Sequence, residues 1–166
     1  MCVCAHVCVC DPGPSALGLA PHVKGSCIYM SMCIVLLHYI PCVCVSVSRL
    51  WGNNLGDCGV KRLCEALRNP ECKIQRLELD SNRLSDGCTD DLVSALSTNR
   101  SLRILDLRSN SFTDGSVPAL CRLIETCTSL EEIRLWGNRF SSDGRNQLRS
   151  LRGIRAELSV SFSFFG

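Results

Sequence analysis

The residues best suited to metal chemistry lie at the amino terminus. Alternate positions near the start hold four cysteines and a histidine, namely Cys2, Cys4, His6, Cys8 and Cys10. Alternate side chains of a β-strand share one face, so this strip could present thiolates and an imidazole to a soft metal ion. A TGTGTG dinucleotide tract, however, also translates as Cys-Val-Cys-Val, and "PCVCVSVS" repeats the signature at residues 41–48. We favour this second explanation and predict no metal site and no cofactor.

Catalytic residues are not grouped in a way that would support an enzyme. Catalysis needs a nucleophile, an acid and a base gathered in one cleft. The three histidines, His6, His22 and His38, all precede residue 49, so the rest of the chain cannot build a Ser/His/Asp or Cys/His site. A phosphate-binding G-x-x-x-x-G-K-[ST] loop is also absent from the sequence. We therefore predict that the protein is not an enzyme.

The residue types that suit protein binding are concentrated in a pentapeptide that occurs twice, "RLWGN" at residues 49–53 and 134–138. Alignment on its Asn reveals four copies of a longer unit, with the column Asn53, Asn82, Asn110 and Asn138. The steps between these asparagines are 29, 28 and 28 residues. A constant period of this size indicates a repeat architecture, in which each unit packs on its neighbours.

The first half of each unit predicts a short strand. In "IQRLELDSNRL" (residues 74–84) two leucines alternate, so both point to one face of a strand. The Asn that follows can serve backbone groups where the chain turns away from the sheet. Apolar columns repeat with the same period and predict the core: Leu77, Leu79, Leu92, Leu105, Leu107, Leu120, Ile133 and Leu135.

The second half of each unit predicts a helix. Apolar residues recur there at helical three-and-four spacing, and Pro118 would fall in a first turn, where a missing N–H is tolerated. Short polar side chains precede these segments and are predicted to be N-caps: Asp57, Asp86, Asp114 and Ser142.

The motif "LGDCGVKRLCEALRNPECKIQRLEL" resembles the leucine-rich repeats of ribonuclease inhibitor and of the nucleotide-binding leucine-rich-repeat (NLR) receptors of innate immunity. The resemblance extends over residues 49–151. It implies an α/β fold, a right-handed strand–helix horseshoe with a parallel sheet on the concave face. Cys64 and Cys72 have no cysteine counterparts in the next unit, at Val93 and Arg100, so the fold does not require them.

Composition divides the chain at residue 49. The segment 1–48 contains only two charged residues, Asp11 and Lys24, and is interpreted as a disordered or mistranslated segment. The uncharged stretch 25–48 is long enough to be a membrane anchor, which is the alternative for this segment. Residues 49–158 are predicted to be an uncapped array of about three and a half repeats. A tail at 159–166 follows, because Ser161 and Ser163 fall in the next leucine positions.

A partner-binding face is predicted on the side of the strands opposite the leucines. The residues assigned to it are Glu78, Asp80, Asp106, Arg108, Arg134, Trp136 and Trp51. Neighbouring strands lie about 4.8 Å apart, so Arg49–Glu78, Asp80–Arg108 and Asp106–Arg134 are expected to pair. The alternative for the two tryptophans is that they cover the ends of the array.

The sequence favours a protein–protein interaction module located in the cytoplasm. From residue 49 onward Lys/Arg and Asp/Glu are nearly balanced, which argues against nucleic acid as a partner. The cysteines show no zinc-site spacing and are interpreted as reduced thiols. The resemblance implies a fragment of an NLR-type receptor whose repeats sense a ligand or hold the receptor inactive. A free-standing binder of an enzyme, similar to ribonuclease inhibitor, is the alternative.

Overall fold

The computed structural model describes residues 47–154 and 156–162. Five strands alternate with four helices along this part of the chain. The strands are β1 (Val47–Arg49), β2 (Arg76–Glu78), β3 (Ile104–Asp106), β4 (Glu132–Arg134) and β5 (Ser159–Ser161). The α-helices are α1 (Gly56–Leu67), α2 (Thr89–Leu96), α3 (Val117–Thr126) and α4 (Ser142–Ser150). Short 3-10 turns at Asp86–Cys88, Asp114–Ser116 and Leu151–Gly153 complete the elements.

The five strands form one parallel sheet in the order of the sequence, β1-β2-β3-β4-β5. Its central row pairs Ser48 with Leu77, Leu77 with Leu105, Leu105 with Ile133 and Ile133 with Val160. Successive helices pack on one another behind the sheet. A strand and a helix in each unit, repeated in register, confirm the predicted α/β repeat fold.

The core consists of the predicted apolar columns. All eight residues predicted from the periodicity have no exposed surface: Leu77, Leu79, Leu92, Leu105, Leu107, Leu120, Ile133 and Leu135. Phe112 and Phe140 fill the corresponding position two residues after their asparagines and are also buried. In the first unit Ser48 takes the place of a leucine and is still buried.

The asparagines form a ladder that joins each repeat to the one before it. Asn82 accepts hydrogen bonds through Oδ1 from the backbone amides of Asn53 and Leu55, at 3.0 and 3.2 Å. Its Nδ2 donates to the carbonyl of Leu50 at 2.7 Å and to that of Asp80 at 3.1 Å. One side chain therefore satisfies both donors and acceptors that the short strands leave unpaired, as the sequence predicted.

The next two asparagines repeat this arrangement. Asn110 accepts from the amides of Asn82 and Leu84 at 2.9 and 3.0 Å and donates to the carbonyl of Leu79. Asn138 donates to the carbonyl of Leu107 at 2.9 Å. The bonds cross from repeat to repeat, so the ladder fixes the stacking register as well as the turn.

A second ladder is built by aspartates that had been predicted to be N-caps. The N-cap side chains are instead Ser85, Thr113 and Ser141, whose oxygens accept an amide two or three residues later. Asp57 reaches across to the next repeat, where it accepts from the Ser85 amide at 2.8 Å and from the Ser85 hydroxyl. The prediction is wrong by one position in these three units, because the preceding hydroxyl caps its own helix, and in the first unit the N-cap is Leu55, which has no capping side chain.

The same bridge recurs along the array. Asp86 accepts from the Thr113 amide at 2.8 Å, and Asp114 accepts from the Ser141 amide at 2.9 Å. Gly87 faces Asp57, the first aspartate of this ladder. A Cβ added at Gly87 would lie only 2.9 Å from Asp57 Oδ2. The close approach of one repeat to the next therefore excludes a side chain at that position.

The carboxy-terminal end of the fold departs from the predicted boundaries. β5 lies within the segment predicted to be a tail, and β1 begins two residues before the predicted start of the array. Val160, not Ser161, pairs with Ile133 and is buried, because this unit has one residue fewer between Leu158 and the strand centre. Phe162 then packs edge-on against Phe140 with ring centroids 5.9 Å apart.

Arg145 makes a polar contact near this end of the described repeats. Its guanidinium donates to the carbonyl of Phe140 at 3.1 and 2.9 Å. In the two preceding repeats the corresponding carbonyls, of Leu84 and Phe112, accept a backbone N–H from the following unit. At Phe140 a side chain therefore supplies the kind of donor that the main chain supplies in those repeats.

Two features discussed from the sequence lie outside the described residues. The cysteine–histidine strip at residues 2–10 and nearly all of the apolar segment 25–48 fall there. Within the described ranges no helix is long and apolar enough to cross a membrane.

Removal of one ladder asparagine should destabilise the array markedly. Asn110→Ala leaves two amides and several carbonyls near the core without their partner, and each unsatisfied buried group costs about 1–3 kcal/mol. We expect a loss of roughly 2–4 kcal/mol in urea unfolding, with Asn146→Ala on the exposed side of α4 as the control. Equal unfolding midpoints for the two variants would contradict the role given to the ladder.

The aspartate ladder should make stability depend on pH. Burial raises the pKa of Asp57, but hydrogen bonds from the Ser85 hydroxyl and amide outweigh it, so the pKa is lowered from 3.8. A lowered folded pKa contributes stability above the unfolded value, and that contribution is lost as pH falls through the folded value. We expect Asp57→Asn to cost roughly 1 kcal/mol near neutral pH and less at about pH 3. Urea unfolding at both pH values tests this, and a constant difference would rule it out.

Candidate protein-binding surface

The outer sheet face comprises the side chains that flank the buried leucines and point away from the core. Alternation along each strand creates it, since a residue next to a core leucine must point to the opposite side. Its members are Arg49, Trp51, Arg76, Glu78, Asp80, Ile104, Asp106, Arg108, Glu132, Arg134 and Trp136. All seven residues predicted to bind a partner belong to this face.

Asp106 is the buried centre of one part of this face. Its side chain has no exposed surface, although it had been predicted to contact a partner directly. Arg108 Nε lies 2.6 Å from Asp106 Oδ1, and Arg134 Nη1 lies 3.4 Å from Oδ2. The two guanidinium groups cover the carboxylate because a buried charge needs opposite charge and hydrogen bonds around it. Asp106 therefore holds the arginines in place, and the arginines are the groups that a partner can reach.

The carboxy-terminal cluster consists of Asp106, Arg108, Glu132, Arg134 and Trp136. Glu132 binds the Arg134 guanidinium with both oxygens, at 2.8 and 3.0 Å, and this hydrogen bonding raises the pKa of Arg134. The Arg108 guanidinium carbon lies 5.3 Å from the centroid of the Trp136 ring, within the range of a cation–π interaction. The charged groups of the cluster thus hold one another in fixed positions on a rigid sheet.

The amino-terminal side of the face has fewer internal contacts. Arg49 and Arg76 both lie 3.6 Å from Glu78, so the predicted Arg49–Glu78 pair is formed. The predicted Asp80–Arg108 pair is not found within the described residues, because Arg108 turns to Asp106 on its own strand. Burial, followed by the nearby charge of Asp106, raises the pKa of Asp80.

Both tryptophans lie in the turn directly after a strand, where the sequence had placed them on the strand itself. The parallel ladder nevertheless continues past them, with the Gly52 amide donating to the Asp80 carbonyl at 3.0 Å. The glycine that follows each Trp has positive φ, 68° at Gly52 and 73° at Gly137. A left-handed backbone favours glycine, although Ser81 and Ser109 adopt it at the same position of the two middle repeats, with φ of 57° and 51°. Trp51 is 46% exposed, whereas Trp136 is half-buried.

Small-molecule binding has little support from the cavities of the described residues. A cavity of about 90 Å³ lies beside Arg103 and Glu157, and one of about 60 Å³ lies between Trp136, Arg145 and Phe162. Ligand sites usually enclose about 300–1,000 Å³. These spaces can hold water but not an organic ligand.

The cysteines of the described repeats are not arranged for catalysis or metal binding. None of these six cysteines forms a disulfide, and four of them are buried. Burial raises the pKa of Cys64 to about 12 and also raises the pKa of Cys88, so both thiols stay protonated and weakly nucleophilic. Within the described ranges no three His, Cys, Asp or Glu residues are grouped to hold a metal ion.

The sequence comparisons identify the repeats. A family model described as "Leucine Rich repeat" matches residues 98–121. NACHT, LRR and PYD domains-containing protein 9C of Mus musculus is 53% identical over 57 residues, which are 34% of this chain and 6% of the relative. NACHT, LRR and PYD domains-containing protein 3 of Homo sapiens is 52% identical over 56 residues, which are 34% of this chain and 5% of the relative. The match thus spans a small fraction of these much longer proteins.

A longer match and the solved structures agree with this assignment. NACHT, LRR and PYD domains-containing protein 9 of Bos taurus is 37% identical over 82 residues, 46% of this chain and 8% of the relative. The tropomodulin C-terminal domain of Caenorhabditis elegans aligns with a TM-score of 0.65 and 20% identity, over 82% of this chain and 84% of that one. Leiomodin-1 actin-binding site 2 aligns with 0.68 and 16% identity, over 87% and 82%. These structures show the leucine-rich-repeat fold, and the sequence matches show similarity to the repeats of NLR proteins.

Loss of the buried carboxylate should disturb the face far more than loss of an exposed one. Asp106→Ala leaves Arg108 without its carboxylate and Arg134 with Glu132 alone, and breaking a buried ion pair is strongly destabilising. We expect a cost of about 2–4 kcal/mol, since the arginines can still reach water. Asp90→Ala removes the partner of Arg122 at an exposed site and should cost less than about 1 kcal/mol. Thermal unfolding of both variants is the measurement, and similar losses would refute the buried role of Asp106.

Proposed function

We propose that this chain is a protein–protein interaction module of an NLR-type receptor, which binds its partner through the outer sheet face. In that setting the repeats sense a ligand protein or hold the receptor inactive. The proposal is supported by the similarity of the repeats to those of NACHT, LRR and PYD domains-containing proteins. The matched segment covers only a small part of such receptors. The presence of nucleotide-binding and effector domains in the full protein is therefore part of this proposal.

The observation that carries the proposal is the ordered stack of Arg108 on Trp136, held from below by Asp106. Binding hot spots are enriched in Trp and Arg, and they cluster where side chains are well packed. Side chains that are fixed before binding lose less conformational entropy when a partner docks. The carboxy-terminal cluster combines these properties on a sheet whose register is set by the asparagine ladder.

The chemistry of the face favours a protein over other classes of partner. Arginines and carboxylates alternate along it, whereas nucleic acid calls for a predominantly basic surface. The cavities beside it are too small for an organic ligand. Aromatic and charged groups side by side match the anatomy of protein interfaces.

We place the module in the cytoplasm on the basis of its thiols. The six cysteines of the described repeats form no disulfide with one another, and several lie in the core as small apolar residues. Reduced cysteines in this number suit a reducing compartment, because oxidising compartments favour disulfides.

Alanine substitutions on the two sides of the molecule should separate a binding face from a structural one. Trp136→Ala and Arg108→Ala should each weaken binding of a captured partner at least about tenfold, by the usual range for hot-spot residues. Arg122→Ala, on the exposed side of α3, should leave affinity unchanged. Affinities are measured by biolayer interferometry on proteins with matched melting temperatures. Greater damage from the helix substitution would overturn the assignment.

The receptor context has its own test. A spliced transcript that joins these repeats to an upstream nucleotide-binding domain would support an NLR-type receptor. An open reading frame made of repeats alone would favour the inhibitor-like alternative, and it would leave the binding face as proposed.

A further inference from the structure

We infer that Trp51 and Asp80 form a subsite for a cationic side chain, a Lys or Arg of the partner protein. The inference rests on the proposed function and specifies the chemistry of the partner at one end of the outer sheet face. The relevant column of that face runs across the sheet as Trp51, Asp80, Arg108 and Trp136.

The backbone ladder places the members of this column beside one another. Arg49 pairs with Glu78 in the sheet, and the Gly52 amide still donates to the Asp80 carbonyl at 3.0 Å. Trp51 and Asp80 therefore occupy adjacent positions in the turns that follow β1 and β2, where the backbones keep the ladder spacing of about 4.8 Å. An indole and a carboxylate at that spacing can contact one bound group together.

The other end of the same column shows which group fits beside an indole. Arg108 comes from the strand next to Trp136, and its guanidinium lies over that ring at 5.3 Å. At the first end the neighbouring strand offers Asp80 instead of a cation, and among the described residues no cation lies over Trp51. Trp51 is consequently 46% exposed, a large fraction for this side chain. The chain thus forms a complete arginine–tryptophan stack at the Trp136 end of the column. At the Trp51 end it presents the tryptophan without the cation.

Charge complementarity indicates which side chain would bind beside Trp51 and Asp80. The other carboxylates of the column's surroundings have cations of their own: Glu78 lies near Arg49 and Arg76, and Asp106 lies between Arg108 and Arg134. Asp80 has no ion pair within the described residues and is half-buried. A partner's Lys or Arg would gain the face of Trp51 and the carboxylate of Asp80 in one position. A neutral or acidic side chain would add no counter-ion beside the carboxylate, which otherwise has only the more distant charge of Arg108.

Tryptophan fluorescence can test the subsite without a known partner. The chain has two tryptophans, so Trp136→Phe leaves Trp51 as the only reporter. The probes are the capped tripeptides Gly-Arg-Gly, Gly-Lys-Gly, Gly-Gln-Gly and Gly-Glu-Gly. We expect the Arg and Lys peptides to change the emission of Trp51 with millimolar affinity, at least about fivefold more tightly than the Gln and Glu peptides.

Substitution of the carboxylate provides the matched comparison. Asp80→Asn should weaken the Arg peptide at least about threefold, and Asp80→Glu should retain most of the binding. Asp90→Asn, an exposed carboxylate on α2, should change nothing. Circular dichroism and melting temperature confirm that each variant is folded. Equal responses to the Arg and Gln peptides, or unchanged affinity in Asp80→Asn, would overturn the inference.

A second copy of the chain is the competing occupant. Sedimentation velocity distinguishes it, because a dimer that dissociates in Asp80→Asn would assign the subsite to self-association and overturn a partner-protein role. The peptide titrations read the emission of Trp51, and every protein used in them carries the same Trp136→Phe change in the carboxy-terminal cluster. The Arg and Lys peptides can therefore fail to bind at Trp51 while Trp136→Ala and Arg108→Ala still weaken partner binding. They can also bind at Trp51 while those two variants bind the partner normally. The subsite and the binding role of the carboxy-terminal cluster are thus tested separately.

Discussion

The asparagine side chain is the part on which the rest of this molecule depends. Strands of only three residues leave many amides and carbonyls without a ladder partner, and such groups are costly when buried. An amide side chain has donors and an acceptor in one plane, so it can satisfy both kinds of group in two repeats at once. Asn82 does this with four bonds, three of which join it to the preceding unit.

The aspartate ladder adds a second line of contact four residues after each asparagine. The asparagines hold the chain where it leaves the sheet, and the aspartates hold it where the helices begin. Two lines of fixation prevent one repeat from rotating against the next. The outer sheet face inherits this rigidity, so side chains that are distant in sequence, such as Arg108 and Trp136, meet at a defined distance.

The periodic parts of this structure could be predicted from the sequence, and the parts that depend on cross-repeat geometry could not. Leu105 and Asn110 repeat at a constant interval and have one physical role in every unit, so their columns predict burial and turns. Asp106 occupies a column whose other charged members, Arg49, Glu78 and Arg134, keep some exposed surface, and it is buried because Arg108 and Arg134 converge on it. The helix caps differ by one residue because hydroxyl and carboxylate side chains compete for the same turn. Val160 was missed because a single-residue deletion breaks the period.

The bond from Arg145 to the Phe140 carbonyl shows that the same kind of acceptor can be satisfied in two ways. In the two preceding repeats the corresponding carbonyl receives a main-chain N–H from the next unit, and that donor depends on the path of the backbone. At Phe140 the donor is a side chain, so one residue type decides whether the carbonyl is satisfied. This contact can therefore be removed by truncating a single side chain, whereas its counterparts in the two preceding repeats cannot.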